Sequence, residues 1–515
     1  MNAARFISFW TGFCSLSLEI AWVRLYGYAN QSTPKAFSYV LAIYLLGIAL
    51  GAQIGKRVCQ LPLRQDIEKV SMLVLLMGAV VAIMAPWAFL GSRDLALDDI
   101  VAPLGIFLTA ATLSVLFPVT HHLGTPQQSL GNDVGKGRHF SRVYIMNVVG
   151  AALGPLVTGY VLLEFLTINQ TFAFLAAVIF LLASAAGWMY GLGRKLMVLC
   201  CAVLSLGFIL TGGYWSWSDA HAFARSWAIR YGDPEPVVAV HENRHGIITI
   251  SESPATKMQP FIDRSVYGGN VYDGKVNVDL ERNTNGLERP LALNVLQPEA
   301  KRVLILGLSI GSWLTVVQGF PGVEQIEVVE INPGYLTLAR QFEAQRRALE
   351  DPRVSIHIDD ARRWLQYHPR EKYDLILMNT TWHWRANSSM LLSQEMMALA
   401  GRHLTDKGVL AFNATGSVDA FYTASKVFKE TRRYQNFIYG AQWDPFTQAQ
   451  SPQAWERLYQ VTVDSNPGFR KGSGFVEKYA KVPFLQVEHD LQALGRAPEV
   501  IRDDNMLVEY KYGKK

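Results

Sequence analysis

Cysteine is scarce in this chain: Cys14, Cys59, Cys200 and Cys201 are the only four in 515 residues, all in or beside apolar stretches. None stands at a paired-Cys or Cys/His spacing, which argues against a zinc site, a disulfide framework or a redox role. Charge is scarce as well, at 18% of residues against 50% hydrophobic, where a soluble domain carries about 25% charged. The net charge of +5 comes mostly from Lys and Arg in loops, so it leaves no nucleic-acid footprint. The first apolar stretch lacks a small-residue cleavage site and carries Glu19, so a retained helix is expected there rather than a removed signal. Also missing is a complete G-x-G-x-x-G dinucleotide fingerprint.

The apolar residues are concentrated before about residue 216, and most charge clusters follow it. Crossing ~30 Å of hydrocarbon takes about 20 mostly apolar residues. Seven stretches meet that length, at approximately 6–28, 37–55, 70–91, 100–122, 143–166, 169–190 and 195–216. Gly47-x3-Gly51-x3-Gly55 and Gly150-x3-Gly154 let helix backbones approach, so the spans are expected to pack as a bundle. Loops on the N-terminal side carry Lys56, Arg57, Arg64 and Lys69, then Lys136, Arg138 and Arg142, then Arg194 and Lys195; the other side has Arg24, Lys35 and Arg93. Positive charge on the inside therefore puts the N-terminus in the cytoplasm and, after seven spans, the C-terminal part outside. Glu19, in mid-span, needs a partner or a polar cavity. It either serves a polar or cationic substrate or bonds a neighbouring helix, for example at Asn147 or Arg142.

From about 236 the pattern changes to short β-rich runs, Val237–Val240 and Gly246–Ile250, read as a small antiparallel lead-in. Strands then alternate with helices: strand Arg302–Leu306, helix 312–319, strand Gln325–Val329, helix 333–348, strand Val354–Ile358, helix 360–367, strand Tyr373–Met378, helix 389–403 and strand Gly408–Phe412. Such alternation implies a mostly parallel sheet with helices on both faces. The expected division is a bundle over 1–216, a linker and lead-in over 217–290, and an α/β domain over 291–515. Ligands in such folds bind beyond the carboxyl ends of the strands. There the first strand runs into Gly307-Leu-Ser-Ile-Gly311-Ser312, the second ends at Glu330, 23 residues beyond Gly307, and the third at Asp359-Asp360. A glycine turn opening a helix offers backbone N–H groups to a ligand, a strand-terminal Glu can accept both ribose hydroxyl hydrogens, and a strand-terminal Asp can receive an adenine amino group. The three in succession point to nucleoside binding. The alternative is a geometric turn with capping, solvated carboxylates.

At these residues the chain resembles the spermidine synthase family, and more closely the bacterial proteins in which a membrane bundle precedes a spermidine-synthase-like domain. The resemblance is carried by Lys301–Gly311, Val328-Val-Glu-Ile-Asn-Pro333, Asp359-Asp-Ala-Arg362, Tyr373–Met378 with its following loop, and Asp406-Lys-Gly-Val-Leu410. It extends to Gly269-Asn-Val-Tyr-Asp-Gly274, Asp503-Asp-Asn-Met-Leu-Val-Glu-Tyr510, Phe9–Leu25 and Arg142–Leu163. It implies a multi-pass α-helical bundle in the bacterial inner membrane plus a Rossmann-like, methyltransferase-type domain. That domain would bind decarboxylated S-adenosylmethionine, with no metal, and pass its aminopropyl group to an amine. Glu330 would hold the ribose, Asp360 beside Asp359 the adenine, and the turn with Gly307, Ser309 and Gly311 the sulfonium end.

The chain departs from that family where acids are expected. The resemblance implies one Asp in the glycine loop and another after the fourth strand, together holding cationic ends and helping to deprotonate the attacking amine. Here the first place falls to Ser309 or Ile310 and the second to Asn379, in Met378-Asn-Thr-Thr-Trp-His-Trp-Arg385. An amide is no general base. His383 has the pKa range for the task, and Arg385 favours an anionic acceptor or the carboxylate of intact S-adenosylmethionine; both could equally satisfy backbone carbonyls in a packed aromatic loop. Three functions stay open: aminopropyl transfer to a small-molecule amine; S-adenosylmethionine-dependent methyl or aminocarboxypropyl transfer to a membrane-confined acceptor; and a non-catalytic nucleoside- or polyamine-binding transporter or sensor. The lipid bilayer is the expected partner, and a homo-oligomer is compatible with the sequence. The segment 415–500 reads as the last strands and a lid, without a chemical assignment.

Overall fold

Apolar runs of this length fold as helices because in hydrocarbon each backbone polar group must find its partner within the segment. The computed structural model describes residues 2–125, 133–191, 216–228, 235–257, 259–379 and 382–512. Its first compact unit comprises Met1–Asn30, Lys35–Arg230 and Glu242–Ile247. Among the described residues this unit has six helices long and apolar enough to cross a membrane: Ala3–Ala29, Pro34–Val58, Arg64–Leu95, Asp98–Gly124, Arg138–Phe165 and Ile168–Met189. The seventh expected stretch, 195–216, lies outside the described residues except for its last position, and the side assigned to the C-terminal part goes with it.

Glycines set the packing of the unit. A Cβ at Gly47, Gly51 or Gly55 would meet the carbonyl of Phe107, Ala111 or Val115, and one at Gly150 or Gly154 that of Phe9 or Phe13. Asn147, which the sequence offered to Glu19, donates its amide to the Ser8 carbonyl at 3.0 Å. We expect Gly150→Leu to force the helices Asn2–Ala29 and Asp133–Val157 apart. Overpacking of this kind costs about 1–3 kcal/mol or more, and detergent extraction followed by size-exclusion chromatography should show the loss of a monodisperse peak; an unchanged profile would refute the close contact.

The second unit comprises Gln31–Pro34, Tyr231–His241 and Ile248–Lys515. A small antiparallel sheet orders β1 (Val237–Asn243), β2 (Gly246–Ser253), β3 (Asp263–Gly268) and β4 (Val271–Lys275) in sequence. The main sheet contains β5 (Arg302–Leu306), β6 (Gln325–Glu330), β7 (Val354–Ile358), β8 (Tyr373–Met378), β9 (Leu404–Asn413), β10 (Glu430–Tyr434) and β11 (Phe437–Ala441), in the order β10-β11-β9-β8-β5-β6-β7. β5 to β9 are parallel, while β11 pairs antiparallel with β9 and with β10. The order turns back between β5 and β8, and that switch point opens a crevice at the strands' carboxyl ends.

Alternate residues of the same strands feed two cores. Val303, Ile305, Leu375 and Leu377 join one apolar cluster, and Leu304, Leu306, Ile376 and Met378 the other. Burial on both faces explains why these strands are continuously apolar, and each such side chain contributes about 1.5–3 kcal/mol.

Two expected helices are broken. The run over 333–348 becomes Gly334–Ala339 and Glu343–Glu350, because Phe342 is extended (φ −110°, ψ 128°) and packs with the Ile248, Ile250 and Val266 cluster of the small sheet. The run over 389–403 becomes Ser389–Leu392 and Gln394–Arg402. Between them Ser393 caps the second helix at the Met396 N–H and donates its hydroxyl to Asp503 at 2.6 Å. Local propensity yields in both places to a tertiary partner.

Candidate active site

The turn after β5 holds three left-handed residues, Gly307 (φ +86°), Ser309 (φ +50°) and Gly311 (φ +86°). Gly307 has a further constraint, since a Cβ there would lie 2.9 Å from the Asn379 carbonyl oxygen. The turns after β5 and β8 therefore touch at the switch point, and a glycine is what lets them. The N–H of Asn379 donates to the Leu306 carbonyl at 2.9 Å, so this residue's backbone is fixed by the same contact.

Glu330 ends β6 and is buried, 4% exposed. Its carboxylate accepts from the Leu308 N–H (2.7 Å) and the Asn332 N–H (2.8 Å). Those bonds favour the charged form, yet burial outweighs them and, with Asp273 nearby, pushes the pKa up to about 7. With the Ser309 N–H also directed at it, the carboxylate still keeps lone pairs to face hydroxyl groups. Asp359 pairs with Arg363, and Asp360, exposed, caps the following helix by accepting from the Arg363 N–H at 2.9 Å. Capping occupies one Asp360 oxygen. Gly307, Glu330, Asp359 and Asp360 line one cavity of about 750 Å³, shared with Ser309, Asn379 and Arg385 but not with Gly311, a size suited to a nucleoside-bearing ligand.

Asp273, on β4, lines the same cavity and was not singled out by sequence reasoning as a site residue. The Tyr335 hydroxyl donates to its carboxylate at 2.6 Å, and the Ser309 hydroxyl donates to its backbone carbonyl at 3.1 Å. Desolvation raises the pKa of its carboxyl; the Tyr335 bond and the Arg385 charge pull the other way. The neighbouring chain is bolted down: Ser312 donates to the Lys275 carbonyl (2.7 Å), Gln345 to that of Val276 (2.7 Å), and Asn285 bonds both Lys275 backbone groups. The signal that marks Asp273 in the sequence is the Tyr-Asp-Gly run within Gly269–Gly274, whose partner Tyr335 lies two residues past Pro333.

A second cavity, of about 340 Å³, adjoins the first, and Asp273 and Asn379 line both. Its wall is made of amides and rings, with Asn285, Asn413, Asn436, Trp313 and Trp382 around Arg289. Arg289 lies 5.3 Å from the ring centroids of Trp313 and Phe437 and donates to the Asn436 side chain at 3.0 Å. Trp382 is anchored by its indole N–H on the Tyr272 carbonyl at 3.1 Å.

In the loop after β8, Asn379 and Arg385 line cavity walls. Arg385 lies over the β3–β4 turn, where a Cβ on Gly269 would run into its guanidinium. His383 bonds the Thr415 hydroxyl through Nδ1 (2.8 Å) and its own N–H (3.0 Å), and burial lowers its pKa. Thr415 lines the second cavity; His383 stands behind it. Gly311 opens the helix Ser312–Gln318.

The model of the spermine/spermidine synthase domain matches residues 291–452. The chain is 30% identical over 244 residues to a polyamine aminopropyltransferase from Thermococcus onnurineus, covering 45% of this chain and 80% of that one. To the polyamine aminopropyltransferase of Mycobacterium tuberculosis it is 26% identical over 416 residues, covering 78% and 75%. Among solved structures, the spermidine synthase from Thermotoga maritima is 17% identical with a TM-score of 0.39, over 50% of this chain and 88% of that one.

Proposed function

Because the chain belongs to the spermine/spermidine synthase family, we propose that it is a membrane-anchored aminopropyltransferase, moving the aminopropyl group of decarboxylated S-adenosylmethionine to an amine. The observation that carries this reading is the meeting of two cavities at Asp273 and Asn379. The larger has nucleoside-directed groups at its strand ends, and the smaller offers an adjoining place for an acceptor. In this reading Glu330 takes the ribose hydroxyls, the free Asp360 oxygen takes the adenine amino group, and the Gly307–Gly311 turn faces the sulfonium. The donor carbon is already electrophilic, so the protein's main task is to align it with an uncharged amine.

The acceptor cavity supports a finer expectation. Its charged lining residues, among those described, are Asp273 and Arg289, with side-chain amides of four asparagines between. One carboxylate suits one ammonium, and Arg289 disfavours a second. The preferred acceptor is then an amine whose remainder is neutral or anionic, rather than a long polycation. Anchoring rests on the six apolar helices. The relatives do not favour methyl or aminocarboxypropyl transfer, or a binding role without turnover.

The test is incubation of purified full-length protein with decarboxylated S-adenosylmethionine and a panel of mono- and diamines, read by mass spectrometry. Aminopropylated product and methylthioadenosine in equal amounts are expected. Absence of product with every amine, or alkylation from intact S-adenosylmethionine alone, would overturn the reading.

A further inference from the structure

Both positions where the resemblance implies acids hold neutral residues, Ser309 or Ile310 at one and Asn379 at the other, yet a carboxylate, Asp273, lines both cavities that Asn379 lines. Asp273 reaches the junction of the two cavities from β4, outside the main sheet. It receives the Tyr335 hydroxyl at 2.6 Å, and Ser309, in the glycine turn, donates to its backbone carbonyl at 3.1 Å. Asn379, at the second, lines the same two cavities. A carboxylate supplies a negative charge to an ammonium and acts as a base toward it, which a neutral amide or hydroxyl does not. Its backbone is held through Lys275 and Val276 by Ser312, Asn285 and Gln345, the fixed support that a proton-transfer group requires.

We propose that Asp273 is the acid of this site: it draws the acceptor's ammonium into the junction and takes its proton as the amine attacks. The inference rests on the aminopropyl-transfer reading given above. In the step, the amine lone pair forms a C–N bond to the methylene carbon beside the sulfonium and the C–S bond breaks. Its electron pair goes to sulfur, which leaves as the neutral thioether methylthioadenosine. One ammonium proton passes to the Asp273 carboxylate, and from there to solvent. No other reactant is consumed. The relocation keeps a negative charge at the reacting centre although the loop that bears it in the family has lost its own.

The titratable groups facing Asp273 are Tyr335 and Arg385, with Glu330 and Tyr272 beside them. The Tyr335 bond holds the Asp273 carboxyl down against the upward push of desolvation, so Tyr335→Phe should move it up.

The experiment compares full-length wild type, Asp273→Asn and Tyr335→Phe at saturating decarboxylated S-adenosylmethionine, with methylthioadenosine binding followed separately by calorimetry. Asp273→Asn should bind methylthioadenosine within about threefold of wild type while kcat falls about a hundredfold or more, the range of a lost general base. Its kcat/KM for the amine should lose the acidic limb and retain the rise set by the amine's own titration. Tyr335→Phe should lower turnover far less than Asp273→Asn does and shift that limb to higher pH. Turnover of Asp273→Asn within threefold, or an acidic limb unmoved in Tyr335→Phe, would overturn the role of Asp273 and leave aminopropyl transfer standing. A wild type that forms no product would overturn the transfer reading, and this inference with it.

Discussion

Glu330→Gln is expected to weaken decarboxylated S-adenosylmethionine binding at pH 8 by about a hundredfold. Each hydrogen bond to a charged group contributes about 1.5–3 kcal/mol, and two ribose hydroxyls are assigned to this carboxylate; about 1.4 kcal/mol is a factor of ten. Gln cannot restore the arrangement by turning over. Leu308 and Asn332 present N–H donors to the two carboxylate oxygens, so either amide orientation sets an NH2 against an N–H. Calorimetry on the full chain reads the effect, and affinity within threefold of wild type would remove the ribose contact.

The same residue makes binding depend on pH with a definite sign. Burial raises the Glu330 pKa to about 7, so near pH 6 most of the unliganded protein carries it protonated. The ribose contact uses the ionised form, so donor binding must expel that proton below the pKa. Affinity should therefore rise about tenfold between pH 6 and pH 8 and level off above, with proton release visible as a buffer-dependent binding enthalpy. A flat profile over that interval would contradict it. For folding the linkage runs the other way. The raised pKa means that the folded state binds this proton more tightly than the unfolded chain, so its contribution is present below the unfolded value and is lost as pH rises through about 7.

The second large effect belongs to Gly307. Gly307→Ala adds a left-handed penalty of roughly 1–2 kcal/mol and an overlap with the Asn379 carbonyl, 2.9 Å from the new Cβ, which costs about 1–3 kcal/mol more. Gly472→Ala is the control: it too is left-handed (φ +78°), but nothing lies within 4 Å of its Cβ. We expect thermal melting of the full chain to show a loss for Gly307→Ala at least twice that for Gly472→Ala, with donor binding lost only in the former. Equal losses would mean that the approach of the β5 and β8 turns does not matter.

What local pattern encodes was legible in the sequence. Apolar runs of spanning length, and β-branched runs ending in Gly307, Glu330 and Asp360, follow from residue order within a few turns of chain. The strand ends of a parallel sheet must then face one crevice, so these residues could be gathered into one site before any coordinates. The breaks at Phe342 and Ser393 were not legible, since each helix yields to a partner far away in sequence, the small sheet for one and Asp503 for the other. Nor was the orientation of His383, which follows from the position of Thr415. Asp273 is the clearest case. Its Tyr-Asp-Gly run stands out in the sequence only as part of the Gly269–Gly274 stretch, and only the folding of β4 against the glycine turn and Tyr335 sets its carboxylate at the junction of the two cavities. The sequence by itself determined the long apolar helices, the strands and the strand-end residues that meet in the larger cavity, because these depend on short-range periodicity. The tertiary structure alone decided which acid stands at the junction, because that depends on contacts between segments tens of residues apart.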